Sequence, residues 1–188
     1  MNRKMIFGSL LMAGCITMAV STIAYSDDDR GKSDGGIYGK TTDVPAVSNK
    51  LYATECGSCH FAFQPGWLPE RSWRKIMATL DNHFGDNAEL DDASRETITN
   101  YLVGRSADVL PNRMSNRIMR SLRADETPLR ISGLAFMQHE HNEIPRRMLE
   151  GNPKVGSRAN CLACHSQADK GFFNEHGVVI PGFGRYDD

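Results

Sequence analysis

The chain has 188 residues, with 22 Lys and Arg against 23 Asp and Glu, a formal charge of −1 and a pI near 6.6. That length allows one ordinary domain or two small ones and is short for a large multidomain enzyme. The balanced charge argues against a general nucleic-acid binder, which carries a basic excess, and 40% hydrophobic residues are enough to bury a core.

Residues 1–26 read as an export signal. Arg3 and Lys4 form a basic start, Met5 to Ala24 is an apolar run, and Ala24-Tyr25-Ser26 is a small-x-small site before Asp27-Asp28-Asp29. The run is nearly long enough to span a bilayer, so an uncleaved anchor is the rival reading. A lipidated Cys15 fits less well, because the apolar segment continues through Ile16, Met18, Val20 and Ile23. Setting Arg3 and Lys4 aside leaves 20 basic and 23 acidic side chains, a net −3 for the mature chain. A soluble periplasmic protein is expected, with no membrane span after signal removal. Residues 27–42, rich in Asp, Gly, Ser and Lys, read as a flexible leader.

A first unit is expected over 43–110, with helices near 46–60, 71–84 and 91–104, the last capped by Asp91 or Asp92. The first helix ends in Cys56-Gly57-Ser58-Cys59-His60, and the pattern returns as Cys161-Leu162-Ala163-Cys164-His165. C-x-x-C-H is the attachment motif of c-type haem. Two thiols about one helical turn apart can add to the two vinyl groups of one porphyrin, and the following imidazole reaches the iron from the proximal side. With six His in the chain, a His after both pairs by chance has odds of about one in a thousand. Disulfides or a four-cysteine zinc site would leave His60 and His165 unexplained. Two covalently bound haem c groups are expected, held by Cys56, Cys59, Cys161 and Cys164, with His60 and His165 on the irons.

What such a haem does depends on its sixth ligand. Trp73, Ile76, Met77, Leu80 and Phe84 recur at helical spacing, and His83 lies at the edge of that face, before a C-cap at Gly85. His83 is therefore the candidate for the first haem, with a methionine such as Met114 as rival.

The second unit, 111–188, shows an amphipathic helix near 113–123. Arg113, Arg117, Arg120 and Arg123 take one face; Met114, Ile118, Met119 and Leu122 take the other. This is a solvated face over a core face, or a guanidinium stripe for haem propionates or an acidic partner. A loop through Thr127-Pro128 leads to the segment bearing His139 and His141. Only 23 residues follow His165, so the second sixth ligand should come from upstream. Residues two apart face different ways on a helix. His141 is preferred, with His139 and His176 as alternatives. A late attachment helix and an irregular glycine-rich tail complete the unit, whose core the haem would largely supply.

Several motifs together resemble the exported dihaem cytochrome c family. They are Tyr52-Ala53-Thr54-Glu55-Cys56-Gly57-Ser58-Cys59-His60, Leu68-Pro69-Glu70-Arg71-Ser72-Trp73, His83-Phe84-Gly85-Asp86-Asn87-Ala88, His141-Asn142-Glu143-Ile144-Pro145, Asn160-Cys161-Leu162-Ala163-Cys164-His165 and Ile180-Pro181. The resemblance covers about 45–181. It implies a mainly α fold: a class I-like cytochrome c domain plus a second haem-organised domain with little regular structure. It also implies an electron carrier rather than an enzyme, partnered by a membrane-bound b-type cytochrome and an oxygen-binding monohaem c-type cytochrome. His83 and His141 map onto the family's distal histidines. A dihaem peroxidase-like enzyme and a gas or redox sensor are the alternatives, and each needs an open iron position.

Overall fold

The structure, a computed structural model, describes residues 42–186. The expected export signal, and all of the expected leader except Thr42, lie outside the described residues. Among those described, no helix is long and apolar enough to cross a membrane.

Three helices build the N-terminal part. Helix α1, Lys50–Gly57, starts where the Asn49 side chain accepts the Tyr52 amide at 2.9 Å. Helix α2, Glu70–Met77, follows Pro69, carries Glu70 in its positive first turn, and adds an i,i+4 pair from Arg74 to Glu70 at 2.7 Å. Helix α3, Asp92–Val103, is capped by Asp91, which accepts the Ser94 amide at 2.9 Å. Trp73, Ile76 and Met77 of α2 and Ile98 and Leu102 of α3 are buried in one core cluster. Full burial of each such side chain contributes about 1.5–3 kcal/mol.

The expected helix over 71–84 is shorter than its periodicity suggests. It ends at Met77, and Leu80–Asn82 form a separate 3-10 turn. The Thr79 hydroxyl bonds back to the Lys75 carbonyl at 3.0 Å, and the Ala88 amide closes onto the Leu80 carbonyl at 2.8 Å. These bonds turn the chain out of the helix. His83 consequently sits in a tight turn, pairing with Asp86, and not in a last helical turn before a Gly85 cap.

Helix α4, Arg113–Ser121, is capped by Asn112 through the Ser115 amide, and the buried Ser115 hydroxyl donates to the Gly66 carbonyl at 2.9 Å. Ile118 is fully buried, and Arg113 and Arg120 are exposed. Helix α5, Ala135–Glu140, turns Phe136 and Met137 inward. Beyond it come 3-10 turns and one antiparallel hairpin, in which β1, Val179–Ile180, pairs with β2, Gly184–Arg185. The expected late attachment helix is only a 3-10 turn at Cys161–Ala163. Asn160 offers that turn no side-chain cap and spends its amide on the Val155 carbonyl at 3.0 Å. The architecture is mainly helical.

The described residues fall within one compact unit, and bonds cross between its early and late segments. The Asp43 and Val44 amides donate to the Gly171 carbonyl, and Asp43 Oδ2 accepts the Phe173 amide at 2.8 Å.

Candidate functional site

Two cavities contain the C-x-x-C-H segments. The first, about 840 Å³, is lined by Cys56, Cys59, His60 and His83 together with apolar side chains that include Leu68 and Leu80. That volume lies within the range of cofactor pockets, about 300–1,000 Å³. The second is lined by Cys161, Cys164, His165 and His141, with Trp67, Phe136 and Phe173 among its walls. It measures about 120 Å³, so the fit there rests on ring and thiol placement and not on room.

In each cavity two imidazoles face one another. The His60 and His83 ring centroids are 6.1 Å apart with planes inclined by 20°. Those of His141 and His165 are 6.3 Å apart and inclined by 76°. An imidazole nitrogen binds a transition-metal ion at about 2 Å, so two rings on opposite sides of one ion stand about 6 Å apart between centroids. Both pairs have that spacing. Among the described residues no group of three or more His, Cys, Asp or Glu converges as a metal site, and neither cysteine pair is joined as a disulfide. The residues therefore fit a porphyrin iron, which needs only two axial ligands from the protein.

The rings are prepared for that role. Backbone carbonyls only accept, so His60 Nδ1–H donates to the Phe61 carbonyl at 2.7 Å and His141 Nδ1–H to the Met137 carbonyl at 2.8 Å. Each bond leaves Nε2 with a free lone pair. Burial pushes the His165 pKa down to about 4, with the facing His141 adding to the effect. His165 also buries Nδ1 without a hydrogen-bond partner. Burial lowers the His83 pKa too, assisted by His60 and Arg130. Neutral imidazoles, with lone pairs available, are the form a metal takes. Burial raises the Cys56 and Cys161 thiols to about 11.

His83 is held by an unusual turn. Phe84 has φ +59°, a left-handed conformation that bulky side chains rarely adopt. Its ring packs against His83 with centroids 4.7 Å apart, and the Arg130 guanidinium lies 3.9 Å from its centroid. The apolar repeat places Phe84 on a core face, and nothing in the sequence pairs it with Arg130.

The remaining candidates separate cleanly. His139 and His176 are exposed and line neither cavity. Met114 lines the second cavity, not the first for which it was the rival ligand. Of the arginine stripe, Arg117 pairs with Glu140 at 2.9 Å and lies over the Phe136 ring, while Arg123 lies beside Asp125 and Glu126.

Comparison with known proteins follows this geometry. The family model for dihaem cytochrome c matches residues 52–173. The chain is similar to the solved diheme cytochrome c from Shewanella baltica OS155, with 45% identity over 74% of this chain and 98% of that one and a TM-score of 0.61. It is also similar to a diheme cytochrome c from Rhodobacter sphaeroides, with 44% identity over 69% and 100% of the two chains and a TM-score of 0.62. A structure of DHC purified from Rhodobacter sphaeroides matches with 42% identity over 68% and 99%, at a TM-score of 0.55. No curated protein matches the chain. A family model spanning both attachment motifs, and solved relatives matched along almost their whole length, agree with the paired cavities: the chain belongs to the dihaem cytochrome c family and carries two c-type haems with iron.

Proposed function

We propose that the protein is a periplasmic electron carrier with two low-spin, bis-histidine haems. His60 and His83 ligate the first iron, held chiefly by residues 43–110; His165 and His141 ligate the second, held chiefly by 111–188. The observation that carries this reading is the pair of facing imidazoles in each cavity, at 6.1 and 6.3 Å. Haem iron supplies a site that gains and loses one electron. The chain's own residues do the rest. Cys56 and Cys59, then Cys161 and Cys164, anchor the two groups covalently. Leu68, Trp73, Met77 and Leu80 keep water from the first site, and Trp67 and Phe136 do so at the second. Closing both axial positions leaves no open iron for a substrate, which favours a carrier over a peroxidase-like enzyme or a gas sensor. Two imidazoles donate more strongly to ferric iron than an imidazole–thioether pair, so both potentials should lie below those of His/Met cytochromes. The family resemblance supplies the partners: a membrane-bound b-type cytochrome on one side and a soluble monohaem c-type cytochrome on the other.

Low-temperature electron paramagnetic resonance of the oxidised protein tests the ligand sets. Each imidazole mixes its π orbital with one iron d orbital. With an iron held between them, rings inclined by 20° would act mainly on one d orbital and split the pair, whereas rings inclined by 76° would act on both nearly alike. The expected spectrum has one rhombic low-spin signal and one of much larger anisotropy. His83→Ala should turn the first high-spin and reactive to carbon monoxide, and His141→Ala the second. Carbon monoxide binding by the unaltered reduced protein, or a methionine–iron charge-transfer band, would refute the assignment.

A further inference from the structure

Consecutive residues wall the two cavities: Trp67 lines the second and Leu68 the first, both almost fully buried. Between these residues and His60 lies Gln64, a polar side chain with no exposure at all. Its Oε1 accepts the Trp67 indole N–H at 2.9 Å, and its Nε2 donates to the carbonyl of Ala168, three positions after His165. A buried amide is tolerated when its partners are fixed. Both partners of Gln64 are buried, and both belong to the second site, whereas Gln64 itself sits in the segment between His60 and Leu68 of the first.

Rings extend the link in each direction. Phe63 packs against His60 with centroids 5.5 Å apart. Trp67 meets Phe173 edge to face at 4.9 Å, and Phe173 packs against His165 at 5.6 Å. We propose that Gln64 is a positioning residue that locks the second haem site onto the first, setting the orientation of His165 through Trp67, Phe173 and the Ala168 backbone.

The two ends of this bridge are unequally secured. Phe63, Pro65 and Gly66 are held independently, because their carbonyls accept from the Tyr52 hydroxyl, the Trp73 indole and the Ser115 hydroxyl at 2.6, 2.8 and 2.9 Å. Ala168–Lys170 is a single 3-10 turn; Asp43 and Val44 hold the Gly171 that follows it, and the side-chain bond that reaches Ala168 from the first-site segment is that of Gln64. Loss of Gln64 therefore disturbs the second site and spares the first.

The proposal rests on the ligand sets above, and its test is separable from theirs. Holoprotein carrying Gln64→Met, similar in length but without hydrogen bonds, is compared with the unaltered protein by electron paramagnetic resonance and redox titration. The expected result is two haems retained, the first signal in place, and a shift in both the g values and the potential of the second haem. Trp67→Phe removes one of the two bonds and keeps a ring against Phe173. It should move the same signal by less, and it decides the matter by the same criterion if Gln64→Met does not fold. Second-site signals that stay in place in both variants, or equal shifts at both sites, would overturn the proposal while leaving the ligand sets standing. A wild-type spectrum that is not bis-histidine would strike the ligand sets instead.

Discussion

Gly171 and Gly182 share one backbone angle, φ +84°, and differ in their surroundings. A Cβ at Gly182 meets nothing within 4 Å, whereas at Gly171 it would lie 1.9 Å from the Val44 carbonyl oxygen. Gly182→Ala therefore carries only the left-handed penalty, about 1–2 kcal/mol. Gly171→Ala carries the same penalty and must also push the 43–44 segment away. That breaks the bonds from the Asp43 amide at 2.9 Å and the Val44 amide at 3.3 Å to the Gly171 carbonyl, each worth about 0.5–1.5 kcal/mol net. The total is about 2–5 kcal/mol. For a chain of this size one kcal/mol moves the midpoint by about 2–4 °C. Thermal unfolding of the holoprotein, followed by far-ultraviolet circular dichroism, should then place Gly171→Ala about 4–20 °C below wild type and Gly182→Ala only about 2–8 °C below it. Equal midpoints for the two variants would show that the contact between Val44 and Gly171 does not hold the late segment, and the reasoning would fail.

Other outcomes follow from single contacts. Replacing Cys161 and Cys164 with Ala should leave one covalent haem by intact mass and loosen the second site; two retained haems would contradict the attachment assignment. Arg117→Glu should cost about 1 kcal/mol in unfolding assays, because it sets a like charge against Glu140. Arg120→Glu should leave stability unchanged and slow association with an acidic redox partner, most strongly at low salt; partner kinetics unmoved at low ionic strength would return that face to plain solvation. Hydrogen bonds from Ser94 hold the Asp91 carboxyl below its ordinary 3.8. The cap's stabilisation is thus fully present above that ordinary value and is lost as pH falls through the lower folded one. Asp91→Asn keeps the cap without the titration, so the acid-unfolding curves of the two proteins should diverge only below about pH 4.

Features that depend on neighbours in sequence were legible. The C-x-x-C-H spacing is a local mechanical requirement, and the cap at Asp91, one of the two positions expected, needs only a few residues to act. Periodicity misled at His83. Leu80 does enter the core, but from a 3-10 turn, and Phe84, counted with the apolar face, is 44% exposed against Arg130. A repeat of apolar residues records which side chains turn inward and not whether the backbone stays helical between them. The pairing of His141 with His165 was within reach of elimination, since His139 and His176 were the other choices. Gln64 was out of reach: its anchor is 104 positions away, and a lone Gln near a proline ordinarily faces solvent. At Cys161 the sequence misled, because Asn160 stands where a helix cap would, and only the fold shows its side-chain amide committed to the Val155 carbonyl.

The bond from the Phe173 amide to Asp43 joins residues 130 positions apart. Closing so long a loop is entropically costly and kinetically late. The first cavity draws most of its walls from residues 52–102, joined by short loops. The second borrows Trp67 from the early chain and His165 and Phe173 from the end. A chain emerging from its N-terminus can therefore shape its first site while the remainder is still to follow. The second waits for nearly the last residues, so a truncation after Ala168 should yield a protein matured at one site and arrested at the other.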